Sequence, residues 1–535
     1  MVNKIRFIEP GNPPYRKSIK NIYTYDKYIR NPSIGMLTLA TIVKKMVDDT
    51  FMYSESVSGI KWDDVFDADI VFIGIFTFSA PRGYELARFI KSNSNAVVVM
   101  GGLHASLNYT EAVKYCDYVL VGEGDESIID LIHSISDNTH TNTHTHTNTH
   151  THTHTHNDTH EHTHTHNYNT HNNTHEHTHN HNYNNTHNDT HNHTHNYPIS
   201  FPGVAYERDG EVIFTGERNP PQNIDTIPDR YLIHRYHKMA GHNTLWAQVH
   251  ASRGCPHNCD YCAIIRHLGR RVRTRTPENV VEDIRQAVQF HDKRFLPRLN
   301  KVVWLTDDNF FADREWAISV LNAIINSNIK YAFTIQARYD VGFDDEMLTL
   351  LKKAGFKELA FGIEFLEDES FKQYHKKCTY AEVVQAVKNT QKHGLNVRGL
   401  FIVGADNHTK GIGQKIVNFV REHDIHGILI QSMYFVPSTP AYEKNKDKLI
   451  HQDWEKYIGN VVHYPANISP FDLQNEIIYA ISEIYSVGKL FRALFREKWY
   501  NKILFIGEFF WQRSIRSTLK RELPFLKRIT QNSRQ

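Results

Sequence analysis

Twice along this chain, short apolar runs alternate with segments whose apolar residues recur at helical spacing, the rhythm of parallel strands joined by returning helices. In the first stretch, residues 4–8, 69–76, 96–100 and 118–121 read as buried strands, with helices over 35–47, 82–91 and 127–134. A doubly wound α/β domain over 1–135 is expected. In the second, strands near 244–250, 302–306, 331–337, 358–363, 397–403 and 427–435 alternate with helices near 278–291, 314–325, 344–354, 380–393 and 410–422. That predicts a partial parallel (β/α)6 barrel over 244–445, with chemistry at the carboxyl ends of its strands. Residues 198–243, with turn clusters such as Asn219-Pro220-Pro221, read as a linker, and 446–535 as a helical C-terminal region.

Between the two units the composition changes. Residues 138–197 are built from Thr-His, Asn-Thr-His and Asn-His steps and hold 20 of the 36 histidines. With almost no apolar residue the segment cannot offset the entropy of ordering, so a disordered surface insertion is expected. Imidazole-rich tracts also bind zinc, copper or nickel, which keeps open a reading of the chain as a metal-binding protein working through this tract.

Three of the five cysteines sit in Cys255-Pro256-His257-Asn258-Cys259-Asp260-Tyr261-Cys262. Soft thiolates at this spacing suit an iron–sulfur cluster or zinc. Structural zinc takes four ligands, and His257 is the candidate fourth; a cubane held by three cysteines instead leaves one iron open. Cys116 and Cys378 are isolated and read as inert thiols.

Ligands of open α/β sheets lie beyond the carboxyl ends of the strands. Here those ends carry Thr77-Phe78-Ser79, Gly101-Gly102-Leu103-His104 and Gly122-Glu123-Gly124, where paired glycines admit a bulky ligand against the backbone or simply make turns. In the barrel, Asp307 and Asp308 after the second strand are suited to an ammonium group or to capping the next helix. Arg338 after the third suits a carboxylate or a structural ion pair.

The cysteine loop, with Tyr261 before its last cysteine, resembles the cluster loop of radical S-adenosylmethionine (SAM) enzymes. The resemblance implies that Cys255, Cys259 and Cys262 hold a 4Fe–4S cluster whose open iron chelates SAM, cleaved on reduction to a 5′-deoxyadenosyl radical. It implies that Asp307 or Asp308 binds the SAM amino group and Arg338 its carboxylate. Phe361-Gly362-Ile363-Glu364 resembles the family's fourth-strand motif, giving Glu364 the ribose or sulfonium end, although Phe365 stands where serine is usual. The run from Gly399 to Gly404 is similar to the strand that packs on the adenine. The N-terminal unit resembles the cobalamin-binding domain of one large class of these enzymes, which implies corrin contacts at Thr77, Ser79, Gly101, Gly102, Gly122, Glu123 and Gly124. The chain has no Asp-x-His-x-x-Gly run, so cobalamin is expected without a histidine axial ligand, or not at all. The implied activity is methylation of an unactivated carbon in a small or lipid-like substrate, fed by an external one-electron donor. A cobalamin-dependent cyclase or oxidative rearrangement is the alternative.

The net charge of +2 over 535 residues gives no global attraction to nucleic acid. The N-terminus runs directly into a strand, and no apolar run approaches a membrane span, so a cytoplasmic protein is expected. Residues 489–535 carry 12 Lys plus Arg against 3 acidic residues, interleaved with aromatics. Such a tail fits either peripheral contact with an anionic membrane or a helical subdomain packed on the barrel with a basic outer face.

Overall fold

The computed structural model describes residues 2–11, 31–143, 199–239, 246–292, 301–496 and 499–532. The Thr/His/Asn-rich tract lies outside the described residues from 144 onward.

The N-terminal sheet holds β1 (Lys4–Glu9), β2 (Asp49–Ser54), β3 (Ile70–Gly74), β4 (Val97–Gly101), β5 (Tyr118–Leu120), β6 (Val204–Arg208) and β7 (Glu211–Phe214), in the order β2-β1-β3-β4-β5-β6-β7. The first five strands are parallel, and β6 and β7 add an antiparallel hairpin. Ile5, Val71, Val98 and Val119 are fully buried because helices cover both faces. On one face lie α1 (Ile34–Lys44), capped by Ser33, whose hydroxyl accepts from Met36 N, and α3 (Gly124–Thr143); α2 (Ala80–Asn93) packs on the other. Two strand assignments differ from expectation. β2 is an edge strand whose mixed run Asp-Thr-Phe-Met-Tyr-Ser hides its β character, and the hairpin comes from the segment read as linker.

The second sheet is the partial barrel. β8 (Ala247–Val249), β11 (Val302–Leu305), β12 (Ala332–Ala337), β13 (Phe356–Glu364), β14 (Asn396–Val403) and β15 (Gly427–Ser432) pair in parallel in that spatial order. Between β8 and β11 a two-stranded ribbon, β9 (Ser252–Arg253) and β10 (Arg273–Thr274), brackets the cysteine loop. Side chains alternate: Ala247, Val249, Val303 and Leu305 are fully buried toward the helices, whereas Gln248, Trp304, Leu400 and Ile402 are only half-buried on the concave face. Helix starts and stops are specified locally, as in the Thr379–Glu382 capping box and the left-handed Gly355 (φ +96°) that ends Asp345–Ala354.

The C-terminal helices Pro470–Ile484 and Trp499–Asn532 pack on the open edge of the barrel. Tyr485 Oη accepts from Ile428 N at 2.9 Å and Gln512 Nε2 donates to Ile428 O at 2.8 Å, so the β15 edge is covered. Of the tail aromatics, Phe509 is buried and Phe505 and Trp511 pack on the core, while Phe491 and Phe510 stay exposed. Most of the apolar surface described in the tail therefore faces the barrel. No described helix is long and apolar enough to cross a membrane.

Candidate active site

The cysteine loop leaves β8 already anchored. Asp307 Oδ1 accepts from Ala251 N (3.1 Å), from Ser252 N and from Ser252 Oγ (2.6 Å), and Asp308 Oδ2 accepts from Gly254 N (3.1 Å). Gly254 is at φ +91°, and a Cβ there would run into the Arg271 carbonyl, so only glycine fits. Burial pushes the Asp307 carboxyl up to about 7 and that of Asp308 to about 6, against hydrogen bonds that lower both. Asp307, expected at the SAM amino group, is thus occupied in holding the loop; it is Asp308 that faces open space.

Behind the loop, Tyr261 meets Phe365 edge-on (ring centroids 6.3 Å apart), and Phe365 stacks on Tyr374 at 5.5 Å. The phenylalanine at the usual serine position is therefore a packing residue supporting the loop. The thiols of Cys255, Cys259 and Cys262 are half-buried, and burial pushes Cys262 up to about 11. Their soft donor set, on a loop pinned at its entrance, fits an iron–sulfur cluster. Among the described residues no trio of Cys, His, Asp or Glu is yet gathered at metal-binding distance.

A cavity of about 410 Å³ opens beside Cys259 and is lined by His257, Arg270, Arg338 and Lys377 among others. Arg338 is already engaged, its Nε donating to Asp340 at 2.8 Å and its Nη2 to Lys377 O at 2.9 Å. Glu364 closes β13 at φ +66°, a conformation that costs a non-glycine residue energy, with Lys376 Nζ 3.6 Å away. Gly399 points toward the helices, where a Cβ would strike the Phe401 ring, and the space beside Gly404 is filled by His463. Along β14 the half-buried positions are Asn396, Arg398, Leu400 and Ile402.

The larger cavity, about 580 Å³, lies between the carboxyl ends of the N-terminal strands and the β8–β11 edge of the barrel. Gly74, Gly101, Gly102, Gly122 and Gly124 form its floor. Gly102 is at φ +93°, with Ile75 O only 2.9 Å from a notional Cβ, and Gly122 opens onto free space at φ +87°. The turn after β3 presents Phe76 and Phe78 to this cavity. Thr77 and Ser79 turn away, Thr77 Oγ1 lying 3.3 Å from His104 Nδ1 and Ser79 Oγ accepting from Phe76 N at 3.1 Å, so neither is placed for a ligand. Glu123 lines the cavity, but its carboxylate is spent on ion pairs across to the barrel, with Arg253 (2.7 Å) and Arg273 (2.6 Å); Asp125 joins at 2.8 Å from Arg253. This clasp ties the floor to the residue next to Gly254. On the barrel side the cavity meets Gln248, His250, His267 and Trp304, which the sequence reading missed. Gln248 and His250 carried a signal, polar residues two apart on a strand otherwise apolar; His267 carried none.

A sheet with its ligand site at the carboxyl strand ends, set before a partial barrel that opens on a three-cysteine loop, defines a class of enzyme. Residues 249–420 match the Radical SAM superfamily, a class of enzymes that use a 4Fe–4S cluster and SAM. The chain is 23% identical over 460 residues to an uncharacterized methyltransferase of Pyrococcus horikoshii, covering 83% of this chain and 84% of that one. It is 24% identical over 250 residues to the hopanoid C-2 methylase of Rhodopseudomonas palustris, 45% of each chain. Its fold superimposes with a TM-score of 0.57 at 14% identity on the radical SAM methyltransferase TsrM of Kitasatospora setae, solved with cobalamin and a [4Fe–4S] cluster bound, covering 84% of this chain and 75% of that one.

Proposed function

We propose that this enzyme is a cobalamin-dependent methyltransferase acting on an unactivated carbon of a small or lipid-like substrate. The observation that carries the reading is the 580 Å³ cavity, which joins a glycine floor at the strand ends to the barrel edge beside the cysteine loop. The glycine floor fits a planar macrocycle: Gly101, Gly102 and Gly122 line the cavity with bare backbone, and a side chain at Gly122 would stand in open space. The methyltransferase names of the relatives support the same activity. In this reading Cys255, Cys259 and Cys262 hold the cluster, and Gly101, Gly102, Gly122 and Gly124 seat the corrin. When bound, the cluster and SAM supply a carbon-centred radical and the corrinoid carries the methyl group.

The chain's own residues position and shield these groups. Asp308 and Glu364 would hold the SAM amino and ribose ends, Arg338 lines the cavity beside Cys259, and Asp307 holds the loop. Phe76, Phe78 and Trp304 give the cavity apolar lining. His104 is buried, its ring 5.1 Å from Trp454, and does not line the cavity.

Anaerobic reconstitution with iron, sulfide and hydroxocobalamin tests the reading. The expected result is a 4Fe–4S spectrum lost in Cys255→Ala, and 5′-deoxyadenosine on reduction. With lipid and pigment extracts as substrate, label should pass from methyl-labelled SAM into product. Deoxyadenosine formed while the label stays on the cofactors would instead favour the cyclase or rearrangement.

A further inference from the structure

The barrel wall of the larger cavity holds a concentration of polar atoms without partners. Gln248 Oε1, His250 Nε2 and His267 Nδ1 are buried and make no hydrogen bond, although all three residues line this one cavity. They come from two elements. β8 sends Gln248 and His250 to the same face, with Gln248 opposite Trp304 on β11, and the short helix Ile264–His267 after the cysteine loop supplies the third. Buried polar groups in native proteins are almost always satisfied, so three orphans on one wall point to an occupant.

The surroundings define its chemistry. The cations at this wall are already neutralised: Arg253 by Glu123 and Asp125, and Arg275 by Asp283 at 2.7 Å. Asp308 Oδ2 is bound by Gly254 N, and Thr306 Oγ1 donates to Val249 O at 3.2 Å. Burial, with Arg253 adding to it, lowers His250 to about 3 and His267 to about 4, so both imidazoles are neutral. A neutral wall of one amide oxygen and two imidazole nitrogens has no charge to offer a phosphate or carboxylate. It matches primary carboxamides, which donate to the Gln248 oxygen and either donate to or accept from each imidazole, whichever tautomer is present.

We propose that Gln248, His250 and His267 form a binding wall for the carboxamide side chains on the rim of a corrinoid whose plane rests on the glycine floor. This assignment rests on the cobalamin reading above and names the groups that recognise the ligand's periphery from the barrel side.

The test is anaerobic absorbance titration of the reconstituted full-length protein with three corrinoids: hydroxocobalamin; cobinamide, which keeps the amides without the nucleotide tail; and cobyrinic acid, whose rim amides are carboxylates. Wild-type protein should bind the first two and reject cobyrinic acid by at least about tenfold, because a carboxylate has no N–H to donate to the Gln248 oxygen. Gln248→Leu and His250→Phe replace an orphaned polar atom by apolar volume. Each should weaken cobinamide by about tenfold while leaving the melting temperature of the corrinoid-free protein unchanged or raised, since an apolar replacement removes a buried unsatisfied group. His267→Leu provides a variant on a different element should either strand substitution disturb folding. Wild-type affinity in the variants, equal affinity for cobinamide and cobyrinic acid, or a lowered melting temperature accompanying the lost affinity would overturn the assignment while leaving the cobalamin reading in place. Failure of wild-type protein to bind any corrinoid would overturn both.

Discussion

Single residues decide whether the cysteine loop can take its metal. Gly254 sits at φ +91° against the Arg271 carbonyl, so Gly254→Ala combines backbone strain with a direct clash. Bound iron per chain after anaerobic reconstitution is expected to fall several-fold, with the far-ultraviolet circular dichroism spectrum retained. Asp307 separates two roles in the same way. Asp307→Asn keeps the acceptor for Ala251 and Ser252 and should still load iron, whereas Asp307→Ala removes three bonds and should cost about 2–4 kcal/mol in urea denaturation. The sequence marked both aspartates by position, but which one holds the loop and which faces open space depends on the direction each side chain takes after β11. The sequence singled out Glu364 by its place at the end of a strand; its left-handed backbone was not readable there.

At the level of elements, the bottom of the barrel is closed by a charged network. Arg398 on β14 is paired with Glu358 on β13 at 2.8 Å and with Glu508 of the C-terminal helix, and His426, just before β15, is 2.8 Å from Glu358. Removing Glu508 leaves Arg398 only partly compensated, so Glu508→Ala should destabilise by about 3 kcal/mol, read from a urea midpoint. The same network sets a pH dependence. Burial alone would lower the His426 pKa, but the bond and charge of Glu358 raise it above its ordinary value. Its stabilising contribution is therefore complete below about 6.5 and is lost as pH rises through the folded-state pKa. For Glu358, burial raises the pKa, but Arg398 and His426 outweigh it and hold it at about 2, so that contribution is present above about 4.3 and lost only as pH falls toward 2. Melting temperature should decline as pH rises above about 6.5, and His426→Gln should flatten that limb and, because His426 also helps to hold the Glu358 pKa down, move the acid limb to higher pH.

At the scale of the whole molecule, the clasp of Arg253 and Arg273 with Glu123 and Asp125 joins the N-terminal sheet to the cysteine loop. Replacing Glu123 and Asp125 together by Gln and Asn should raise hydrogen exchange in residues 251–275 while leaving β1, β3 and β4 protected; unchanged exchange in the loop would show that the clasp does not restrain it. Much of this architecture was readable beforehand. The alternation of apolar runs with helix-period segments determined both parallel sheets, because strands covered on two faces must be apolar throughout, and the three cysteines with their glycine lead-in determined where the metal chemistry sits, because ligand spacing is local. The hairpin of β6 and β7 was not readable, since two short polar-rich strands are stabilised only by an edge already formed. Nor could sequence separate Gly101, Gly102 and Gly122, which face a cavity, from Gly399, which faces a phenylalanine. The direction of Glu123 toward Arg253, 130 positions away, was likewise decided by tertiary structure, because such contacts exist only once two independently patterned sheets are set edge to edge, and the gathering of Gln248, His250 and His267 on one wall depends on how the chain after the cysteine loop folds back beside β8.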